Sequence, residues 1–164
     1  MSKYQHKIPA AMLVQIGDMT VSFGHLEFWM RYIFTYLVNQ SAIVGEILAS
    51  YLSFSNLRAG IISLYEERFA SDELFGELKK LLKEAAAIEQ ERNAITHSSW
   101  LAGKTPTTST RHKVTAREKS GFKKQTEQYS EHDLFEFNQR IKELTNEFID
   151  FYAKLPQKLP LRPN

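Results

Sequence analysis

Two apolar seams constrain this chain more than any other feature. Met12, Ile16, Met19, Phe23, Leu26, Met30, Ile33 and Leu37 follow one another at alternating steps of four and three, and Leu134, Phe137, Ile141, Leu144, Phe148, Phe151 and Leu155 do the same near the other end. At 3.6 residues per turn such spacing draws a single stripe along a helix. A stripe of that length must be covered along its whole course, so each seam predicts a long helix packed against several partners.

Pro9 suits the opening of the first helix, where its missing N–H would be unsatisfied anyway, and Gly24 lies off the stripe. Shorter helices are expected over residues 42–52 and 55–69, the second with Leu57, Ile61 and Leu64 on one face. Ser71 followed by Asp72 and Glu73 is a helix start, and the helix it opens is expected to reach His97. After Trp100 the helical period is lost and Gly, Pro, Thr and Ser take over, which reads as a loop. Residues 107–117 alternate like a strand, Lys119-Ser120-Gly121 reads as a turn, and residues 122–129 return as a second strand. Ser130 and Asp133 have capping-box spacing for the last helix. Pro156, Pro160 and Pro163 then mark an extended tail over residues 156–164. The expected fold is mainly α: one domain over residues 1–155, an antiparallel bundle of four or five helices with a β-hairpin at about 107–129 inserted before the last.

The chain has no cysteine, which excludes disulfides, thiolate zinc sites and cysteine nucleophiles. Its most apolar stretch, residues 26–38, is interrupted by Glu27 and Arg31, so neither a membrane span nor an export signal is expected, and the cytoplasm is the expected compartment. Charge is unevenly placed. Residues 101–125 hold seven basic residues against Glu118 alone, a local +6 within a total of +2, so the remainder carries −4. A basic surface is therefore expected on the hairpin, with Arg111, Lys113, Arg117, Lys123 and Lys124 as candidate RNA contacts. Phe122 and Tyr129 are expected to pack beneath it. His25, His112 and His132 lie apart without metal-ligand spacing, and no Gly-rich phosphate loop or Gly-x-Ser-x-Gly elbow is present. No metal and no cofactor are expected. The aromatic residues Phe23, Phe28, Trp29, Tyr32, Phe34 and Tyr36 are too many for one stripe, so some are expected to face a second subunit.

The seam of the helix opened at Ser71 runs Leu74, Leu78, Leu81, Ala85 and Ile88, and the next positions are Arg92 and Ile95. An arginine thus holds an apolar position. Burying a guanidinium costs several kcal/mol unless it is paired, so Arg92 implies an acidic partner, for which Glu27 is a candidate, or a cleft lined for anions. Asn93 and His97, four apart, share a face, and Arg92 lies about 100° round from Asn93, a gap a long side chain can bridge. His97 has two readings: a reactive imidazole, or a helix-end histidine interacting with the negative end of the dipole.

Arg92-Asn93-Ala94-Ile95-Thr96-His97 resembles the motif of HEPN domains, an Arg, a polar residue and a His a few positions later. Ser98-Ser99-Trp100, the basic hairpin and the terminal amphipathic helix are similar to a bacterial subset of that family. The resemblance implies a metal-independent endoribonuclease working as a homodimer, with Arg92, Asn93 and His97 as catalytic residues and 2′,3′-cyclic phosphate ends as product. It further implies a toxin or defence role, with an antitoxin or nucleotidyltransferase as partner. The alternative is a non-catalytic module that binds RNA, a nucleotide or a partner protein through the same cleft; a third reading is a dimeric scaffold.

Overall fold

The computed structural model describes residues 6–38, 41–69, 72–117 and 121–156. It is mainly helical: α1 (Ala10–Val38), α2 (Ala42–Ser50), α3 (Phe54–Phe69), α4 (Glu73–Thr96) and α5 (Glu131–Lys154), with strands β1 (Ser99–Ala102), β2 (Thr108–Arg117) and β3 (Gly121–Ser130) between α4 and α5. Its backbone clusters into two compact units, Met1–Ser22 with Gln90–Arg140 and Phe23–Glu89 with Ile141–Asn164. Among the described residues no helix is long and apolar enough to cross a membrane.

Both long seams are interior. Seven of the eight seam residues of α1 are buried, Ile16 being the half-buried exception, and all seven of α5 are buried. In the second unit Phe23 packs on Phe54 at 4.9 Å between ring centroids, and Tyr65 lies against Phe75 at 5.8 Å and Phe151 at 5.9 Å, joining α3, α4 and α5. The Tyr65 hydroxyl donates to Asp72 at 3.0 and 3.1 Å, and burial, followed by that carboxylate, holds the phenol above its ordinary pKa.

Helix starts follow the local rules. Leu13 N–H reaches the Pro9 carbonyl at 3.1 Å to open α1, and the Ser41 hydroxyl accepts from Val44 N–H at 3.4 Å ahead of α2. The expected cap at Ser71 lies outside the described residues. Asp72 caps α4 through Oδ1, which accepts from Phe75 N–H at 2.9 Å.

The capping box before α5 is complete. Asp133 N–H donates to Ser130 Oγ at 3.2 Å, while Ser130 N–H and its hydroxyl both donate to Asp133 Oδ2 at 2.8 Å. Those bonds, the backbone one first, hold the Asp133 carboxyl below its ordinary pKa. Its contribution to stability is therefore present above the unfolded-state value of about 3.9 and is lost as pH falls through the lower folded-state value. Asp133→Ala is expected to cost about 1 kcal/mol at neutral pH. The thermal midpoints of variant and wild type should draw together as pH falls below the unfolded-state value; a gap that stayed constant down to pH 2 would contradict this assignment.

The hairpin lies where its alternation and turn residues put it, but it is the outer part of a three-stranded antiparallel sheet in the order β1-β2-β3. Trp100 pairs with Arg111 and Arg111 with Glu127; Ala102 pairs with Ser109 and Ser109 with Tyr129. Residues directly opposite share a face. β1 takes the first residues after Trp100 that read as loop, because four residues are too few to display an alternation. Lys119 and Ser120 of the expected turn lie outside the described residues; Gly121 beside them has φ 65°, the left-handed region that glycine adopts without strain.

Candidate functional site

The site is the C-terminal end of α4 and the sheet that follows it, all within the first unit. A helix end leaves carbonyls without intrahelical partners. Here they are taken one after another. Asn93 carbonyl accepts the His97 N–H at 3.1 Å, Ala94 carbonyl accepts the Ser98 hydroxyl and Arg111 Nη1 (3.3 Å from the latter), and Ile95 carbonyl accepts Trp100 Nε1–H at 3.1 Å. Ser98, Trp100 and Arg111 thus tie the root of the sheet to the last turn of α4, the turn that carries the Arg-Asn-x3-His motif.

Within that turn Ile95 is fully buried, Arg92 and Asn93 are half-buried, and His97 is exposed as the first residue beyond the helix. Arg92 Nη1 donates to Asn93 Oδ1 at 2.9 Å, so the guanidinium does bridge to its neighbour, and the amide oxygen is committed to it. His97 joins the pair through its backbone; among the described residues its ring has no hydrogen-bond partner. Glu27, considered as a partner for Arg92, forms an ion pair with Arg31 one turn along α1, at 2.6 Å.

The five basic residues expected on the hairpin have different fates. Arg111 is 3% exposed. Its Nη2 meets Glu127 Oε2 at 2.6 Å, Nη1 also reaches Ser98 Oγ at 3.4 Å, and the guanidinium lies 5.8 Å from the centre of the Tyr129 ring. It is a structural arginine rather than a surface contact. The reason lies in register: Arg111 shares its face with Trp100, Ser109 and Tyr129, the face turned inward at the root of the sheet. Lys123 and Lys124 are exposed and, as successive strand residues, point to opposite faces; Lys113 is half-buried opposite Gln125. Arg117 ends β2 opposite Gly121, and its side chain lies outside those described.

Tyr129 packs as expected, edge-on to Trp100 at 5.6 Å, and its hydroxyl donates to Glu127 Oε2 at 3.3 Å. Burial is the main cause that raises its pKa, with Glu127 and Glu91 adding to it and Arg111 opposing. Phe122 differs from expectation: it is 71% exposed at the start of β3. It lies on the face opposite Tyr129, where nothing of the described chain covers it.

Sequence reading did not assign Ser98, Trp100 and Glu127 the structural tasks they have here. Each acts on a residue brought to it by the fold or by the end of a helix, and no periodicity marks such a task. Among the described residues, no three His, Asp or Glu side chains gather as a metal site would require. No family model, no curated protein and no solved structure matches the chain.

Proposed function

We propose that this chain is a HEPN-like, metal-independent endoribonuclease whose reacting groups are Arg92, Asn93 and His97. The observation that supports this most is the Arg92–Asn93 hydrogen bond at 2.9 Å on a helix end clamped by Ser98, Trp100 and Arg111, with an exposed imidazole one turn further on. A guanidinium held by a neighbouring amide is oriented before substrate arrives, which is what charge stabilisation of a transition state requires.

In this reading one His97 takes the proton of a ribose 2′-hydroxyl as its oxygen attacks the adjacent phosphorus. The P–O5′ bond breaks, and the His97 of a second copy protonates the leaving oxygen. Arg92 neutralises the non-bridging oxygens at the pentacovalent stage and Asn93 positions Arg92. The products are a 2′,3′-cyclic phosphate and a 5′-hydroxyl, with no cofactor consumed. Lys113, Lys123, Lys124 and Arg117 would supply the phosphate contacts, and exposed Phe122 a face on which a base can stack. A cytoplasmic toxin or defence role, with an antitoxin or nucleotidyltransferase partner, belongs to the same reading.

One observation favours the alternative, a non-catalytic cleft for RNA, a nucleotide or a partner protein. Among the described residues nothing hydrogen-bonds the His97 ring, whereas a general base is normally oriented by a second group. Incubating purified protein with a mixed RNA pool in excess EDTA, beside DNA of the same sequence, separates the two. The nuclease reading expects cleavage of RNA alone with cyclic phosphate ends. Cut DNA would refute the 2′-hydroxyl mechanism, and RNA bound with steep salt dependence but left intact would favour the alternative.

A further inference from the structure

Helix α2 has its small residues inside and its large ones outside. Gly45 and Ala49, four apart, are its buried residues. A Cβ on Gly45 would come within 2.5 Å of Thr35 Cγ2 and 3.0 Å of Thr35 Cα, so only glycine permits this approach to α1. Arg31 on α1 fastens the helix from below, donating to the Ala49 carbonyl and, at 3.3 Å, to the Leu52 carbonyl. The large apolar residues Ile43, Val44, Ile47, Leu48 and Tyr51 are all exposed, Ile43 by 69% and Tyr51 by 83%.

The surface continues on α1, where Phe28 and Tyr32 are exposed with their rings stacked at 6.2 Å and 19°. Between the two helices lies a groove of about 360 Å³ lined by Phe28, Tyr32, Thr35, Glu46 and Ala49. These exposed side chains together present on the order of 800 Å², which is what one partner contributes to an interface of standard size. It also exceeds the few hundred Å² usual for an apolar patch on a monomer.

We infer that a second copy of this chain docks here. Three features select that occupant. The area matches a two-protein interface. The surface carries both a ridge, Ile43-Ile47-Tyr51 at steps of four, and a groove beside it, so a two-fold axis can seat each ridge in the other copy's groove, as an isologous contact requires. The charge also argues against other partners. α2 has no Lys or Arg to attract an anionic lipid surface or a nucleic acid, its one charge, Glu46, lines the groove, and Arg31 beside it is already paired with Glu27. The interface bears on the nuclease reading only through that reading's need for a second copy, and it is tested without RNA.

Sedimentation equilibrium of the full chain should give a dimer with a dissociation constant on the order of micromolar or tighter. Ile47→Asp and Tyr51→Asp should each weaken it at least ~30-fold while leaving the circular dichroism spectrum unchanged. Because the chain lacks cysteine, Ile47→Cys offers a second readout: a flexible bismaleimide, which tolerates a wider spacing than a direct disulfide, should link it into covalent dimers, whereas Val114→Cys, exposed on β2, should give no covalent dimer. A wild type that is monomeric at tens of micromolar, a dimer indifferent to both aspartates, or cross-linking through Val114→Cys in preference to Ile47→Cys would each overturn the inference. Cleavage with a monomeric wild type would overturn it and leave the RNA chemistry standing; a dimer of this kind that cuts nothing would do the reverse.

Discussion

His97→Ala is expected to lower RNA cleavage about 10³-fold, within the range a positioned general acid or base contributes, and to leave both RNA affinity and folding unchanged. Folding should be indifferent because the ring is exposed and has no hydrogen-bond partner among the described residues. Arg92→Ala should cost a similar ~10²–10³ in rate by removing the charge that meets the transition state. Arg92→Lys should recover only part of this, because an ammonium cannot make a planar fork of donors to two phosphate oxygens. Arg92 is half-buried and bonded to Asn93, so its variants need a urea midpoint within error of wild type before their rates are read. Single-turnover cleavage in EDTA with saturating protein is the measurement. A His97→Ala protein that cleaves at the wild-type rate removes His97 from the mechanism; one that loses binding in step with cleavage makes it a contact instead.

The second large effect is on stability and comes from the side of the ion pair that looks less important. Arg111 is buried, while its partner Glu127 is half-exposed. Removing Arg111 leaves a carboxylate that water can solvate. Removing Glu127 leaves a guanidinium in the interior without its counter-ion, with only the Ala94 carbonyl and Ser98 Oγ to accept from it. Breaking a buried pair in that sense typically costs 3–5 kcal/mol, and the half exposure of Glu127 screens the attraction, which puts Glu127→Ala at ~2–3 kcal/mol. Arg111→Met, which fills the space with an apolar chain, should cost less. Urea denaturation at pH 7 gives both numbers. A Glu127→Ala protein as stable as wild type, or one less affected than Arg111→Met, would show that Arg111 is not held by this contact.

Much of the helical framework was legible in the order of residues. The seams of α1 and α5, the capping box at Ser130 and Asp133, and the alternation of β2 depend on neighbours within a few positions, and those positions are buried, bonded and paired as their spacing implies. The Arg92-to-Asn93 bridge was legible for the same reason: residues one apart on a helix differ by about 100°, and an arginine spans that arc.

What lay beyond the sequence was decided across the sheet and between helices. Arg111 and Lys113 are two apart on one strand face with the same sign of charge, yet the first is interior and the second half-buried, because cross-strand register sets Arg111 between Trp100 and Glu127 and beneath the end of α4. Glu27 was available to any nearby cation, and the helix gave it Arg31, one turn away. Phe122 looked like packing and is exposed; α2, expected only as a short helix over residues 42–52, turns its large residues outward because Gly45 and Ala49 admit the closer approach to α1. Local periodicity dictates which face of an element is apolar, since that needs only the geometry of one helix or strand. Which polar groups lose their water, and which apolar ones keep it, depends on what the chain brings alongside from tens of residues away, and that was decided only by the tertiary structure.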